Sequence, residues 1–304
     1  MIGNAWEGTG WYFNAKSADE VMMAIAKIGA HGGNHRFCWR GLSDSNYNFT
    51  SSLHRRLDDE VGKGELDAIT EEVLRDREDK ILEKARDWGL GVAGGHLVDD
   101  LQLLADLQHY GVPTRLIDVT SNPMTALWFA TAQPSTRSRG ARGALIALNM
   151  NWYRDAGSGG GSGEATVFKT VGRPPMTAGD VEDGLAARRN AALSLDTPFV
   201  VSASIPNPRL RAQEGYFVAS SYPDNPKPPL QDLKVEYRGG DADELRDLLL
   251  EPKKRGLPRS LPFVAIFIPS AVKGRLRKYL KLNYSRTAKR LFPDYEGFCR
   301  YGNI

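Results

Sequence analysis

The sequence predicts an α+β protein. Amphipathic helical patterns crowd its first 110 residues, strand-like runs crowd the rest, and no internal repeat divides it. The expected architecture is a single domain over residues 1–304. A helical N-terminal half at about 1–110 packs on a mixed or antiparallel β core at about 111–304.

Each element has a local reason. Residues 17–30 open with Ser17 as N-cap and Glu20 three places on, the pattern of a capping box, and Val21, Ile25 and Ile28 follow at helical spacing. Residues 36–42 read as a short strand with Gly41 at its end. Residues 65–88 form a long amphipathic pattern with Leu66, Ile69, Val73, Ile81, Ala85 and Trp88 on its inner face. The stretch from Gly89 to Gly95 breaks it. Residues 96–109 are helical again through Leu97, Leu101 and Leu104, until Gly111 and Pro113 stop them. Thr114 to Val119 fit a buried strand, Asn122-Pro123 open a helix running to Ala132, and Gly143 to Asn149 read as a strand. Ala156 to Gly163 is a flexible Gly/Ser loop. Phe199 to Ile205, Tyr216 to Ser220, Leu233 to Tyr237 and Phe263 to Ile268 are further strands. A basic helix covers 271–282, with Val272, Leu276 and Leu280 facing inward.

Composition removes several function classes. Hydrophobic residues make up 41% and charged residues 25%, ordinary for a soluble globular protein. No apolar run approaches the roughly 20 residues of a membrane span, so no membrane partner is expected. Met1 to Trp11 lacks the basic start and apolar core of a signal peptide. The two cysteines, Cys38 and Cys299, have neither disulfide-scaffold nor metal-ligand spacing, and Cys38 reads as a buried free thiol. A reducing cytoplasm and no metal cofactor are the expectation. Phosphate-binding loops, zinc patterns, paired-Cys motifs and nucleophile elbows are missing. Net charge is only +3, yet residues 251–290 hold twelve Lys or Arg against one acid, Glu251. That segment reads either as a solvated basic face or as a contact for nucleic acid phosphates.

The densest chemistry lies in Leu107-Gln108-His109-Tyr110-Gly111-Val112-Pro113-Thr114-Arg115-Leu116-Ile117-Asp118-Val119-Thr120-Ser121-Asn122-Pro123, which runs into Ala126-Leu127-Trp128-Phe129-Ala130. This string resembles the signature of the FRG domain, a family named for a Phe-Arg-Gly stretch. That stretch reads here as Phe37-Cys38-Trp39-Arg40-Gly41, with Trp in the Phe place. Two further elements match in family order, Arg209-Leu210-Arg211-Ala212-Gln213-Glu214-Gly215-Tyr216-Phe217 and Leu291-Phe292-Pro293-Asp294-Tyr295-Glu296-Gly297.

The residues themselves suggest a ligand site. Arg40 at a strand end can hold a phosphate through a bidentate pair, and Gly41 lets a ligand approach the backbone. Thr120 and Ser121 can fix a ribose, brace a catalytic acid, or only cap the following helix. Gln213 and Glu214 stand before an apolar strand, where a carboxylate can stabilise an oxocarbenium-like transition state or lie exposed at an edge. Arg115 and Asp118 can bridge other elements structurally. His109 and Tyr110 either pack or meet a ligand.

The order Arg-Gly, then Thr/Ser before a helix, then Gln/Glu before a strand, distantly resembles the Arg–Ser–Glu pattern of mono-ADP-ribosyltransferases. That resemblance implies an ADP-ribosyltransferase-like β core and a site for NAD. Arg40, Glu214 and Gln213 would be catalytic. Arg40, Gly41, His109, Tyr110, Thr114, Arg115, Thr120 and Ser121 would line the NAD site. The chain departs from the pattern at Ala212, where many transferases carry Glu or Gln, so either Gln213 or Glu214 faces the ligand. The implied function is NAD-dependent ADP-ribosylation of a macromolecule, with nucleic acid a candidate acceptor. It would suit a toxin or anti-phage effector with a neutralising antitoxin or regulator. The alternatives are a non-catalytic nucleotide- or RNA-binding module and an NAD glycohydrolase.

Overall fold

A computed structural model describes residues 4–31, 36–62, 69–132, 140–152, 166–167, 169–170, 181–203, 207–251, 257–258 and 261–302. The Gly/Ser loop expected at 156–163, Leu66 and Ile205 lie outside them. The elements are β1 (Tyr12–Asn14), α1 (Ala18–His31), β2 (Phe37–Leu42), α2 (Ser52–Val61), α3 (Glu71–Asp87), β3 (Val92–Ala93), β4 (His96–Leu97), α4 (Asp100–His109), β5 (Ile117–Thr120), α5 (Pro123–Ala130), β6 (Gly143–Asn149), β7 (Asn151–Trp152), β8 (Thr166–Val167), β9 (Lys169–Thr170), α6 (Val181–Leu193), β10 (Phe199–Val201), α7 (Pro208–Ala212), β11 (Gly215–Ala219), α8 (Ala242–Leu250), β12 (Phe263–Ile268), α9 (Ser270–Tyr284), α10 (Ala288–Leu291) and α11 (Tyr295–Tyr301).

Eight strands form one sheet in the order β1-β12-β6-β2-β5-β11-β10-β9. The interior ladders are antiparallel, and a parallel pair closes each edge, β1 on β12 and β10 on β9. The fold is therefore α+β with a mixed, mostly antiparallel sheet. The expected division into a helical half and a β half does not hold, because β1 and β2 belong to the sheet and β2 lies between β6 and β5. Strands β6 and β12 are buried at every position, so helices cover both sheet faces there. Along β10 and β11 the pleat splits the core. Val200 and Val218 join the large cluster with α1, α5, α8 and α9, while Phe199, Val201 and Phe217 join a second cluster with α4 and α6.

Helix starts follow the sequence signals. Ser17 Oγ accepts the Glu20 amide, and Glu20 reaches back to the Lys16 amide. The Asn122 side chain caps α5 by accepting the Met124 amide, and Pro123 takes the first turn. Helix α5 then packs on the sheet backbone to backbone. A Cβ on Gly41 would stand 1.8 Å from the Ala126 carbonyl oxygen, and one on Gly143 2.2 Å from that of Ala130. Gly41 is thus needed for helix packing.

Three readings need correction. The buried face of α3 is Leu74, Glu78, Leu82 and Ala85, while Val73 is exposed and Trp88 is 76% exposed. The next helix starts at Asp100 under its Asp99 cap, and Leu97 belongs to the β3–β4 hairpin instead. Leu233 to Tyr237 is not a strand. Its backbone is satisfied by the Ser220 hydroxyl and a local turn, while Val235 and Tyr237 pack on the core. Among the described residues no helix is long and apolar enough to cross a membrane.

Candidate functional site

The four polar sequence elements meet at one cavity of about 270 Å³. Strand β2 contributes Trp39, Arg40 and Gly41. The α4 end and β5 contribute Gln108, His109, Asp118, Val119 and Thr120. The α7–β11 turn contributes Arg209, Leu210, Gln213, Gly215 and Phe217, and Phe292 arrives from the C-terminal element. Helix α5 supplies Thr125, Ala126 and Phe129. The sheet explains the opening. Strands β2 and β5 share a single paired position, Trp39 with Thr120, and Arg40 Nη1 then donates to the Asp118 carbonyl.

Arg40 is the least compensated cation of the wall. Its nearest carboxylate, Asp118, stands 4.0 Å away and is 58% exposed. The guanidinium lies 5.6 Å from the Phe49 ring centroid, and its Nε has no hydrogen-bond partner. Burial pulls its pKa down, with Asp118 opposing. Asp118 also accepts from Gln108 Nε2 at 3.0 Å, and Gln108 Oε1 accepts from Ser52 and Thr114 hydroxyls. Thr114 is fully buried and braces Gln108 from behind rather than lining the cavity.

A second charged group sits opposite. Arg209 makes a two-nitrogen fork to Asp294 at 2.8 and 2.9 Å and reaches Glu296 at 2.9 Å. Asp294 also caps α11 through the Gly297 amide, and the Arg209 hydrogen bonds hold its carboxyl below the ordinary value. His109 Nε2 lies 3.8 Å from Asp294, with Tyr110 edge-on at 4.8 Å. Burial lowers the His109 pKa, Arg209 lowers it further, and Asp294 opposes both. Tyr110 points to solvent at 77% exposure and does not line the cavity.

The α7–β11 turn separates the two acid candidates. Gln213 lines the cavity and donates from Nε2 to the Leu291 carbonyl at 3.0 Å. Glu214 has φ +51°, a conformation that usually selects Gly and marks a strained position worth a functional reading. Its carboxylate accepts from Arg286 at 2.7 Å and from Asn122 at 3.0 and 3.1 Å. Thr120 Oγ1 donates to the Gln213 carbonyl at 2.7 Å, and the Ser121 amide donates to that of Glu214. Thr120 therefore fixes the turn from the cavity wall, and Ser121 does so from outside it. Arg115 lies away from the cavity. Its Nε donates to Glu78 and its Nη1 to Glu71, with both carboxylates drawn inward, so it is a structural cation.

Sequence reading missed Thr125, Arg209, Asp294 and Arg286. Arg209 and Asp294 stood in matching elements without an assigned role, and Arg286 stood in the basic segment. Thr125 carried no signal, since one Thr among apolar helix residues reads as packing. It is fully buried and its hydroxyl has no partner among the described residues, unlike Thr131 at the opposite end of the same helix, which donates to the Leu127 carbonyl.

Residues 35–139 match the family model of the FRG domain. The chain carries an FRG domain. The matched stretch contains β2, β5 and α5, and thus Arg40, His109 and Thr120. The cavity is completed beyond the FRG domain, by Arg209, Gln213 and Phe292. No curated protein and no solved structure matches the chain. Among the described residues no group of three His, Cys, Asp or Glu side chains could hold a metal ion.

Proposed function

We propose that the protein is an NAD-dependent ADP-ribosyltransferase that modifies a macromolecule. The observation that carries this reading is the convergence of Arg40, Thr120 and the Gln213–Glu214 turn around one cavity. Its volume of about 270 Å³ is at the small end for ligand sites, which suits the nicotinamide–ribose end of NAD. The unpartnered Arg40 Nε and Thr125 Oγ1 in its wall fit a ligand with anionic and hydroxyl oxygens.

In this reading Arg40 holds the phosphates and Gln213 faces the nicotinamide ribose. Glu214 at the rim accepts a hydrogen bond from a ribose hydroxyl and stabilises positive charge at C1′. The C1′–N bond breaks, and its electron pair leaves with nicotinamide. The acceptor nucleophile bonds to C1′, and its proton passes to Glu214 or to water. Neutral His109 packs against the departing ring.

One observation favours a second reading, nucleotide binding without chemistry. The Glu214 carboxylate is engaged by Arg286 and Asn122 and is not part of the cavity lining. Nicotinamide release separates the readings. The protein is incubated with NAD alone and with RNA, DNA or lysate protein. Transfer requires release that depends on an acceptor and falls about 100-fold or more in an Arg40→Ala, Glu214→Ala double variant. Release without acceptor indicates a glycohydrolase. NAD binding without product indicates the binding module.

A further inference from the structure

The twelve cations of residues 251–290 do not form one surface. Lys253, Lys254, Arg255 and Arg259 lie outside the described residues. Lys273 is buried and donates to the Ser43 carbonyl at 2.7 Å. Arg277 lies 4.1 Å over the Trp128 ring and donates to the Trp128 carbonyl. Arg286 holds Glu214. These three hold the fold and the rim.

Of the five that remain, Arg275 and Lys278 lie along α9, and Lys281, Lys289 and Arg290 gather at the α9–α10 turn. A concavity of about 430 Å³ is walled by Lys281, Ser285, Thr287, Lys289 and Arg290 alone. Lys281, Lys289 and Arg290 are exposed, and none forms an ion pair among the described residues. Beside it, Tyr279 and Tyr284 stand with ring centroids 5.6 Å apart, 39% and 42% exposed. The inner side of α9 is committed to the core through Leu276 and Leu280. The same turn leads directly to the cavity, since Arg286 bonds Glu214 and Leu291 receives the Gln213 amide.

We infer that this turn is a binding groove for single-stranded nucleic acid, which it presents to the Glu214 rim. Three uncompensated cations and two hydroxyls in a concave wall match phosphate oxygens spaced along a strand. Neighbouring exposed tyrosines match unstacked bases, whose faces are available only in a single strand. An anionic membrane would need a broad apolar face on α9, but Leu276 and Leu280 are buried and Leu282 is the one large aliphatic side chain the helix exposes. The binding claim stands on the groove alone; the role of the strand as acceptor rests on the transfer reading.

The test uses the full chain and a fluorescein-labelled 12-nucleotide RNA, with its duplex and phosphatidylserine vesicles as competitors. Fluorescence anisotropy is followed from low to high salt. A Lys281→Ala, Lys289→Ala, Arg290→Ala variant weakens binding 10- to 100-fold and flattens the slope of log affinity against log salt by about 2, at roughly 0.7 per phosphate on a single strand. A Tyr279→Ala, Tyr284→Ala variant weakens binding about 10-fold with the slope unchanged. All these side chains are exposed, so thermal unfolding of the variants matches that of the parent. The inference is overturned if the triple variant binds like the parent, if the duplex binds tighter than the strand, or if vesicles displace the strand. Strand binding without nicotinamide release sinks the transfer reading alone. Release onto protein acceptors without strand binding sinks this one alone.

Discussion

Arg40 and Arg115 belong to adjacent parts of the same FRG domain, and their surroundings assign them opposite work. Arg115 is 4% exposed, with two carboxylates within 3.1 Å and the Ser220 carbonyl at 3.3 Å. Burial alone would lower its pKa, but Glu78 and Glu71 more than reverse that, and the net shift is upward. Arg40 is also largely covered, yet its nearest carboxylate among the described residues is distant and mostly solvated, and its net shift is downward. Each leaves one buried nitrogen unbonded, Nη2 in Arg115 and Nε in Arg40. Charge compensation and direction therefore separate them. Arg115 is neutralised within the protein, whereas Arg40 faces a cavity that an anion can enter.

The largest expected effect tests the first half of this contrast. Arg115→Ala strands Glu78, which is fully buried, and leaves its carboxylate without a guanidinium. Removing one partner of such a pair costs about 3–5 kcal/mol, enough to be read as a large drop in the urea midpoint. A midpoint within about 1 kcal/mol of the parent would show that Glu78 is not held as a buried ion. Arg40→Ala has the opposite profile. It loses one carbonyl contact and a loose ion pair, so stability falls by about 1 kcal/mol. If the transfer reading holds, nicotinamide release falls about 100-fold or more.

This contrast was only half legible in the sequence. The four motif elements converge on the cavity. Strands β6 and β12 were legible because continuous apolar runs mark buried strands, and caps such as Asn122-Pro123 fixed helix starts. The inner face of α3 was misread because a charge stands in it. Hydrophobic periodicity scores Glu78 as outward, and only its partner Arg115, 37 residues away, explains its burial. The cavity needs Gln213 and Phe292, whose approach to β2 is set by strand order, a property of long-range pairing that no local pattern states. The short helices α7 and α10 bury too few residues to show a period.

A smaller effect sharpens what the cavity wall is built for. Thr125 Oγ1 is buried without a partner, so Thr125→Val removes an unsatisfied polar atom at nearly constant volume. Stability should rise by about 1 kcal/mol in the free protein, while NAD-dependent release or NAD binding weakens. Thr125→Ser restores the hydroxyl and should return both readings toward the parent. A destabilised Thr125→Val protein would mean that the hydroxyl already has a partner in solution, and would remove it from the ligand wall.

The smallest effect concerns pH and tests whether the wall opposite Arg40 resists further positive charge. Burial and Arg209 hold the His109 pKa below its ordinary 6.5, against the pull of Asp294. In the unfolded chain His109 takes up a proton as pH falls through 6.5, and in the folded protein it does so only at lower pH. The unfolded state thus binds more protons in that interval, and stability falls with falling pH there. Asp294 is shifted below 3.8, so its contribution is present above that value and is lost only in stronger acid. The His109 window opens at 6.5, well above the value of 3.8 at which that of Asp294 opens. Urea midpoints of the parent and of His109→Gln, measured between pH 5 and 8, should run parallel above about 7.5 and converge or cross as pH drops below 6.5, with the variant losing less. Parallel curves throughout would mean that burial and Arg209 together do not hold the His109 pKa below 6.5 against Asp294.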